Sequence, residues 1–219
     1  MTAAVQAPES AFRSTKKKTI AASAIAGIGV LALTLGAPLA AQAALSGVIS
    51  EGDLDVIEVE AAETSANVWD VELVGHDHDT DEEFDPAAVT YQVTADGGVG
   101  YIGEGEALSA GFSADNADFL AAVNGGAVTF TLESATRSGA LSGSGQVLID
   151  DGGAVSLAFD ADAYAAGSQG FDLADHTHPD WQFSGTGTYE LVFEVDAAPV
   201  SGVTINGLPD TVTVIVDVI

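Results

Sequence analysis

A period-two alternation of apolar and polar residues recurs across residues 54–218 and constrains the fold more than any other feature of the chain. It runs through Leu54, Val56 and then Val59; Trp69, Val71 and Leu73; Val89, Tyr91 and Val93; Val128, Phe130 and Leu132; Val155, Leu157 and Phe159; Tyr189, Leu191, Phe193 and Val195; and Val212, Val214, Val216 and Val218. Side chains i and i+2 of a strand share a face, so each run specifies a strand that buries one side. Turn signals punctuate the runs: Asp96-Gly97-Gly98, Asn124-Gly125-Gly126, Asp151-Gly152-Gly153 and Asn206-Gly207. Their spacing is that of hairpin-connected antiparallel sheets. Residues 113–123 alone read as helix, with Ser113 as cap and Phe112, Phe119 and Leu120 as apolar contacts. The expected fold is all-β, an antiparallel immunoglobulin-like β-sandwich with one short helix in a crossover.

The N-terminal segment has a different character. A basic stretch (Arg13, Lys16, Lys17, Lys18) leads into an Ala/Gly-rich apolar run over residues 19–39, followed by Ala41-Gln42-Ala43. This is the plan of a secretory signal peptide, helical and covering residues 1–43, with a small-x-small cleavage site. The run is also long enough for an uncleaved anchor, but Pro38 and the A-x-A site favour removal. The expected organisation is therefore a signal peptide at 1–43, a β-sandwich surface domain at 44–198, and a C-terminal hairpin at 199–219 belonging to the same domain. Pro199 and Ser201-Gly202 mark the joint before that hairpin. Leu208-Pro209-Asp210-Thr211 imitates a sortase motif, but Val212 stands where glycine is required. Export is thus expected without sortase attachment or a C-terminal membrane anchor, placing the protein outside the cell or on its surface.

Charge excludes whole classes of partner. The chain carries 33 acids against five Lys and Arg, for a formal net charge of −28. Four of the five cations precede Ala44, so the expected mature chain keeps only Arg137. Phosphate backbones and anionic membrane surfaces are bound through Lys and Arg, so neither nucleic acid nor anionic lipid is an expected partner. Cations and basic partners are favoured instead. With no cysteine, the chain has neither disulfide nor thiolate ligand.

All four histidines fall into two H-x-H pairs, His76/His78 and His176/His178. On a strand, each pair projects from one face as a chelating pincer. The first lies in Gly75-His76-Asp77-His78-Asp79-Thr80-Asp81-Glu82-Glu83-Phe84-Asp85, a run too charged to bury. Its Asp77, Asp79 and Asp81 imitate a calcium loop, but Glu82 occupies the glycine position and Ala88 that of the distal Glu, which rules out an EF-hand. The second pair lies in Asp175-His176-Thr177-His178-Pro179-Asp180-Trp181, where Pro179 holds His178 extended. Two readings are open. Either the pairs converge on one cation, four imidazoles closing the site or three leaving a position open, or they hydrogen-bond neighbouring carboxylates and order loops. With Met1 and no cysteine as the only sulfur inventory, soft copper ligation is disfavoured and zinc or manganese remains.

The stretch His176-Thr-His178-Pro-Asp-Trp181-Gln-Phe183-Ser-Gly-Thr-Gly187-Thr-Tyr189-Glu-Leu191-Val-Phe193 resembles the H-x-H-x-x-W-x-F-x-x-x-G-x-Y-x-L-x-F signature of the actinobacterial surface-anchored protein domain. That domain is also called the choice-of-anchor M or ABC-transporter-associated repeat family. Val48-Ile-Ser-Glu-Gly52-Asp53-Leu-Asp55-Val56 is similar to its opening element, and His76-Asp77 with Phe84-Asp85-Pro86 to its next block. The resemblance runs from about Val48 to Val195. It implies a secreted or wall-attached protein beside a metal-type ABC transporter, with transporter components or other surface proteins as partners. Where the family pattern expects histidine after Gly52, this chain has Asp53, which the resemblance adds to the candidate ligands His76, His78, His176 and His178. Asp77, Asp180 and Trp181 are expected to support the site, Trp181 chiefly as core.

A metalloenzyme is not expected. His76, His78 and Glu82 match an H-x-H-x-x-x-E spacing used in cupins, but the glycine spacing is wrong and the second cupin motif is missing. Neither a cysteine nor a G-x-S-x-G nucleophile is present. The expected function is divalent-metal binding at the surface in association with an uptake system; the alternative is a structural display or adhesion module with no metal role.

Overall fold

A computed structural model describes residues 47–219. The residues read as signal peptide, 1–43, lie outside the described residues. Among the described residues there are fourteen strands: β1 (Gly47–Ile49), β2 (Gly52–Ser65), β3 (Val68–Asp77), β4 (Glu82–Phe84), β5 (Val89–Val93), β6 (Gly100–Ile102), β7 (Leu108–Ser113), β8 (Val128–Asp150), β9 (Ser156–Asp160), β10 (Gln169–Leu173), β11 (His176–Thr177), β12 (Asp180–Asp196), β13 (Thr204–Asn206) and β14 (Asp210–Val218). They make two sheets. Sheet A runs β1-β5-β14-β12-β8-β10, with β6 also on β12 and β9 also on β8; sheet B runs β11-β7-β2-β3-β13, with β4 on β3. The all-β sandwich is as the alternation predicts.

Most side chains that the alternation singles out are buried, whereas Val71 and Leu73 are half-buried and Val74 is buried in their stead. Tyr91, Val128, Phe130, Leu132, Leu157, Leu191, Phe193, Val195 and Val214 are all fully buried. Phe112 of sheet B is the pivot between the layers. Its ring lies 5.7, 5.1, 5.6 and 5.6 Å from those of Phe130, Phe171, Trp181 and Phe193 of sheet A. Each such ring contributes roughly 1.5–3 kcal/mol by leaving water, so β7 is fixed firmly against sheet A.

Three local expectations are corrected. The sheets are mixed, because β1–β5, β5–β14, β2–β7 and β3–β13 pair in parallel. Parallel neighbours need long crossovers, and strands β3 to β6 supply one between β2 and β7. The helix is shorter than 113–123, spanning Ala117–Leu120 with Asn116 as cap; Asn116 Oδ1 accepts from the Phe119 N–H at 3.0 Å. Ser113 instead ends β7 and is buried. Residues 199–219 do not form a hairpin. β13 joins sheet B and β14 joins sheet A, so Asn206-Gly207 turns the chain from one layer into the other. Gly207 has φ 90° and packs its Cα against the Val71 carbonyl, where no side chain fits. The described residues nonetheless belong to one compact unit.

Arg137, the only Lys or Arg among the described residues, is consumed internally. Its guanidinium donates to both Asp162 oxygens and to the carbonyls of Ser142, Gly143 and Ser144. It pins a bulged stretch of the long β8–β12 ribbon, far in sequence from every histidine.

Candidate metal centre

The outward face of sheet B carries the histidines, and a β-bulge in β2 prepares it. Regular alternation would place Asp55 and Glu58 on opposite faces. Between Asp55 and Glu58 the register with β3 shifts, and the register with β7 shifts between Asp55 and Ile57. Val56 and Ile57 are consequently both buried in the core, while Asp55 and Glu58 emerge on the same outer face. His76 of β3 stands directly opposite Asp55. On the other side of β2, Ser109, Gly111 and Ser113 of β7 stand opposite Asp53, Asp55 and Glu58. His176 of β11 pairs with Ser113, and His178 follows two residues later on the same face. The loop after β3 brings in the last imidazole, because the His78 N–H donates to the Asp53 carbonyl at 2.9 Å.

Four of these groups converge. His78 Nε2 is 3.1 Å from Asp55 Oδ2; His176 Nε2 is 3.0 Å from Asp55 Oδ1 and 2.8 Å from His178 Nε2; His178 Nε2 is 3.5 Å from Asp55 Oδ1. One ligand atom from each of Asp55, His78, His176 and His178 lies within 4.8 Å of all the others. Ligand atoms about 2.0–2.1 Å from a common zinc are about 3.4 Å apart in a tetrahedron, so small rotations close the group around one ion. This His/Asp group can hold a metal ion.

The opposite edge of His178 fixes which nitrogen is free to ligate. Its Nδ1 lies 2.7 Å from Ser109 Oγ and 3.1 Å from Asp53 Oδ1; the carboxylate can only accept, which favours a proton on Nδ1 and a lone pair on Nε2 in the neutral ring. Burial opposes the charged form of Asp55, but the hydrogen bond from His178 and the positive fields of His176, His78 and His178 outweigh it and hold the carboxyl below its usual range. Burial likewise opposes charge on His178, yet Asp55 and Asp53 raise its pKa above the ordinary 6.5. Without a metal, protons shared among these groups satisfy a carboxylate that is only 1% exposed.

Gly111 keeps the space open. A Cβ at this position would lie 2.5 Å from Asp55 Oδ1 and 2.6 Å from His178 Nε2, two of the converging atoms themselves. The backbone below is held by Trp181, whose indole N–H donates to the neighbouring Ala110 carbonyl at 3.0 Å.

The candidate residues therefore separate into different environments. His78, His176 and His178 converge. His76 stands one step away, with Nδ1 3.2 Å from Glu58 Oε2. Asp53 faces the Nδ1 side of His178, away from the converging nitrogens. Asp77 is committed to its own loop, where Oδ1 accepts from the Asp79 and Thr80 N–H groups. Asp180 is exposed and packs beside Gly103. Trp181 is 1% exposed and lies in the core. Asp55, Glu58, Ser109 and Gly111 were not singled out from the sequence. Asp55 had one legible signal, a carboxylate inside the otherwise apolar Leu54-Asp55-Val56-Ile57.

Comparison with protein-family models, with curated proteins and with solved structures found no match for this chain.

Proposed function

We propose that this is an exported surface protein that captures one divalent cation through Asp55, His78, His176 and His178. The observation that carries the reading is the approach of three imidazole Nε2 atoms, from the ends of β3 and β11, to one buried carboxylate on β2 of the same sheet. Three nitrogens and one oxygen form a borderline donor set, better suited to zinc than to manganese. The field around the site is negative. Asp53 and Asp81 flank the histidines, and Glu104, Asp150, Asp151 and Asp180 line a depression beside His178. Such a rim concentrates cations at the site and speeds their arrival. Delivery to, or presentation beside, a metal-type ABC uptake system is the role that the family resemblance implies.

Titration of the metal-stripped protein with zinc, read by competition with a chromophoric chelator, tests the binding. One tightly held zinc, lost in the His176→Ala, His178→Ala double variant, is expected. Unchanged affinity in that variant would refute the site. Sequencing the N-terminus of protein recovered outside the cell tests export: a start at Ala44 is expected, and a start at Met1 contradicts cleavage.

A further inference from the structure

His76 lies outside the group of four, yet it belongs to a second constellation that shares Asp55. One ligand atom from each of Asp55, Glu58 and His76 lies within 4.8 Å of the other two. Resting on the zinc reading of the first group, we propose that sheet B holds a pair of divalent cations, the second bound by His76, Glu58 and Asp55, with the Asp55 carboxylate bridging the two.

The placement follows from the strands. Asp55 sits on β2 between its two neighbours, opposite His76 of β3 on one side and Gly111 of β7 on the other, with His178 beyond Gly111. A carboxylate has two oxygens and about four lone-pair positions, enough to serve both sides. The bulge that turns Glu58 outward beside Asp55 supplies the third ligand, and a regular strand would have buried it in the core. The His76 ring is set for this role. It lies between two carboxylates, Nδ1 3.2 Å from Glu58 Oε2 and Nε2 3.5 Å from Asp81 Oδ1, so a cation that takes the place of the Nδ1 proton would lie between His76 and Glu58 while Asp81 accepts from Nε2. The His76 and His78 ring centroids are 4.8 Å apart, so the two sites are adjacent.

Electrostatics agrees with a second ion. One zinc with Asp55 and three neutral imidazoles carries a net charge of +1, whereas the carboxyl groups of Glu58, Asp53, Asp81 and Glu83 remain around it, and Arg137, the only Lys or Arg among the described residues, is tied to Asp162. The donor sets also differ. Two carboxylates and one imidazole make a harder site than three imidazoles and one carboxylate, so manganese suits the second position and zinc the first.

The full chain, stripped of metal and given one equivalent of zinc, is titrated with manganese(II) while the six-line electron paramagnetic resonance signal of free manganese is followed. One manganese per chain should disappear from the free signal without displacing zinc. Glu58→Gln and His76→Gln, singly and together, should weaken manganese uptake at least tenfold and keep the zinc. Asp55→Asn should lose both ions while circular dichroism shows a folded sandwich. Zinc retained with no manganese bound would overturn the second site and leave the first standing; failure to bind zinc would overturn both. Unchanged manganese uptake in the Glu58 and His76 variants would place that ion elsewhere on the acidic surface and overturn the assignment. Manganese retained by Asp55→Asn would overturn the bridge.

Discussion

Replacing Gly111 by alanine is the smallest change that should abolish cation capture without removing a ligand. The new Cβ would sit 2.5 Å from Asp55 Oδ1 and 2.6 Å from His178 Nε2, against an ordinary contact of 3.4 Å or more. Each atom must retreat by about 0.8–0.9 Å, several times the ~0.2 Å within which zinc–ligand distances are held. Asp55 cannot retreat freely, because it is 1% exposed and its oxygens already meet His78 and His176. Two of four ligands are thus displaced together. Disturbing a partner that merely orients a ligand costs 10–100-fold in affinity, so a loss of more than about 100-fold, or about 2.8 kcal/mol, is expected here. The fold should persist, since Gly111 lies on the outer face and the methyl adds nothing to the aromatic core; a cost of about 1–3 kcal/mol from local crowding is expected. Chelator competition measures the affinity and thermal melting the apo stability. Zinc affinity within threefold of the wild type would show that Asp55 and His178 do not share a metal across Gly111.

Metal-free and zinc-loaded protein should respond to pH in opposite directions. The raised His178 pKa contributes stability that is fully present below about 6.5 and is lost as pH rises through its folded value; Glu60, raised to about 7 first by burial and then by Glu83 and Glu58, acts with the same sign between its ordinary 4.5 and 7. The lowered Asp55 pKa contributes stability that is lost only as pH falls below the usual carboxylate range. Melting of the apo protein should therefore decline from pH 5.5 to 8, while the zinc-induced shift grows as imidazole loses its proton; a zinc shift of equal size at both ends would count against histidine ligation. Tyr91 is fully buried and its hydroxyl has no hydrogen-bond partner among the described residues, so Tyr91→Phe should leave Tm unchanged or raise it by the equivalent of about 1 kcal/mol, whereas a loss above that would mean the hydroxyl is satisfied. Trp181→Phe should cost about 1–3 kcal/mol by stranding the Ala110 carbonyl, and should weaken zinc binding through the displaced β7; an effect on stability with none on zinc would uncouple the core from the site.

What could be read from the sequence was set by local periodicity. Runs such as Tyr189, Leu191, Phe193 and Val195 became buried strand faces because each lies within a single strand with a regular pleat. The parallel pairing of β2 with β7 was not legible, since a turn signal such as Asn206-Gly207 fixes where the chain bends and not which sheet the next strand joins. The short helix began three residues late for a similar reason: Ser113 is drawn into β7, leaving Asn116 to cap. At the site, the paired histidines announced themselves by i, i+2 spacing. Asp55 did not, because its role depends on a bulge and on a glycine in a strand about 55 residues away, neither of which has a sequence signature of its own. Asp53, which the resemblance adds to the candidates, is a neighbour of Asp55 on the same face and meets His178 from the other edge of its ring.

Zinc K-edge X-ray absorption of the protein at one equivalent of metal tests the central claim most directly, because outer-shell scattering counts imidazole rings. Three histidines and one carboxylate oxygen at about 2.0–2.1 Å are predicted, with the imidazole component reduced when His176 and His178 are replaced by alanine. A shell of oxygens without imidazole scattering, or a spectrum indifferent to those substitutions, would contradict a metal held by His78, His176, His178 and Asp55.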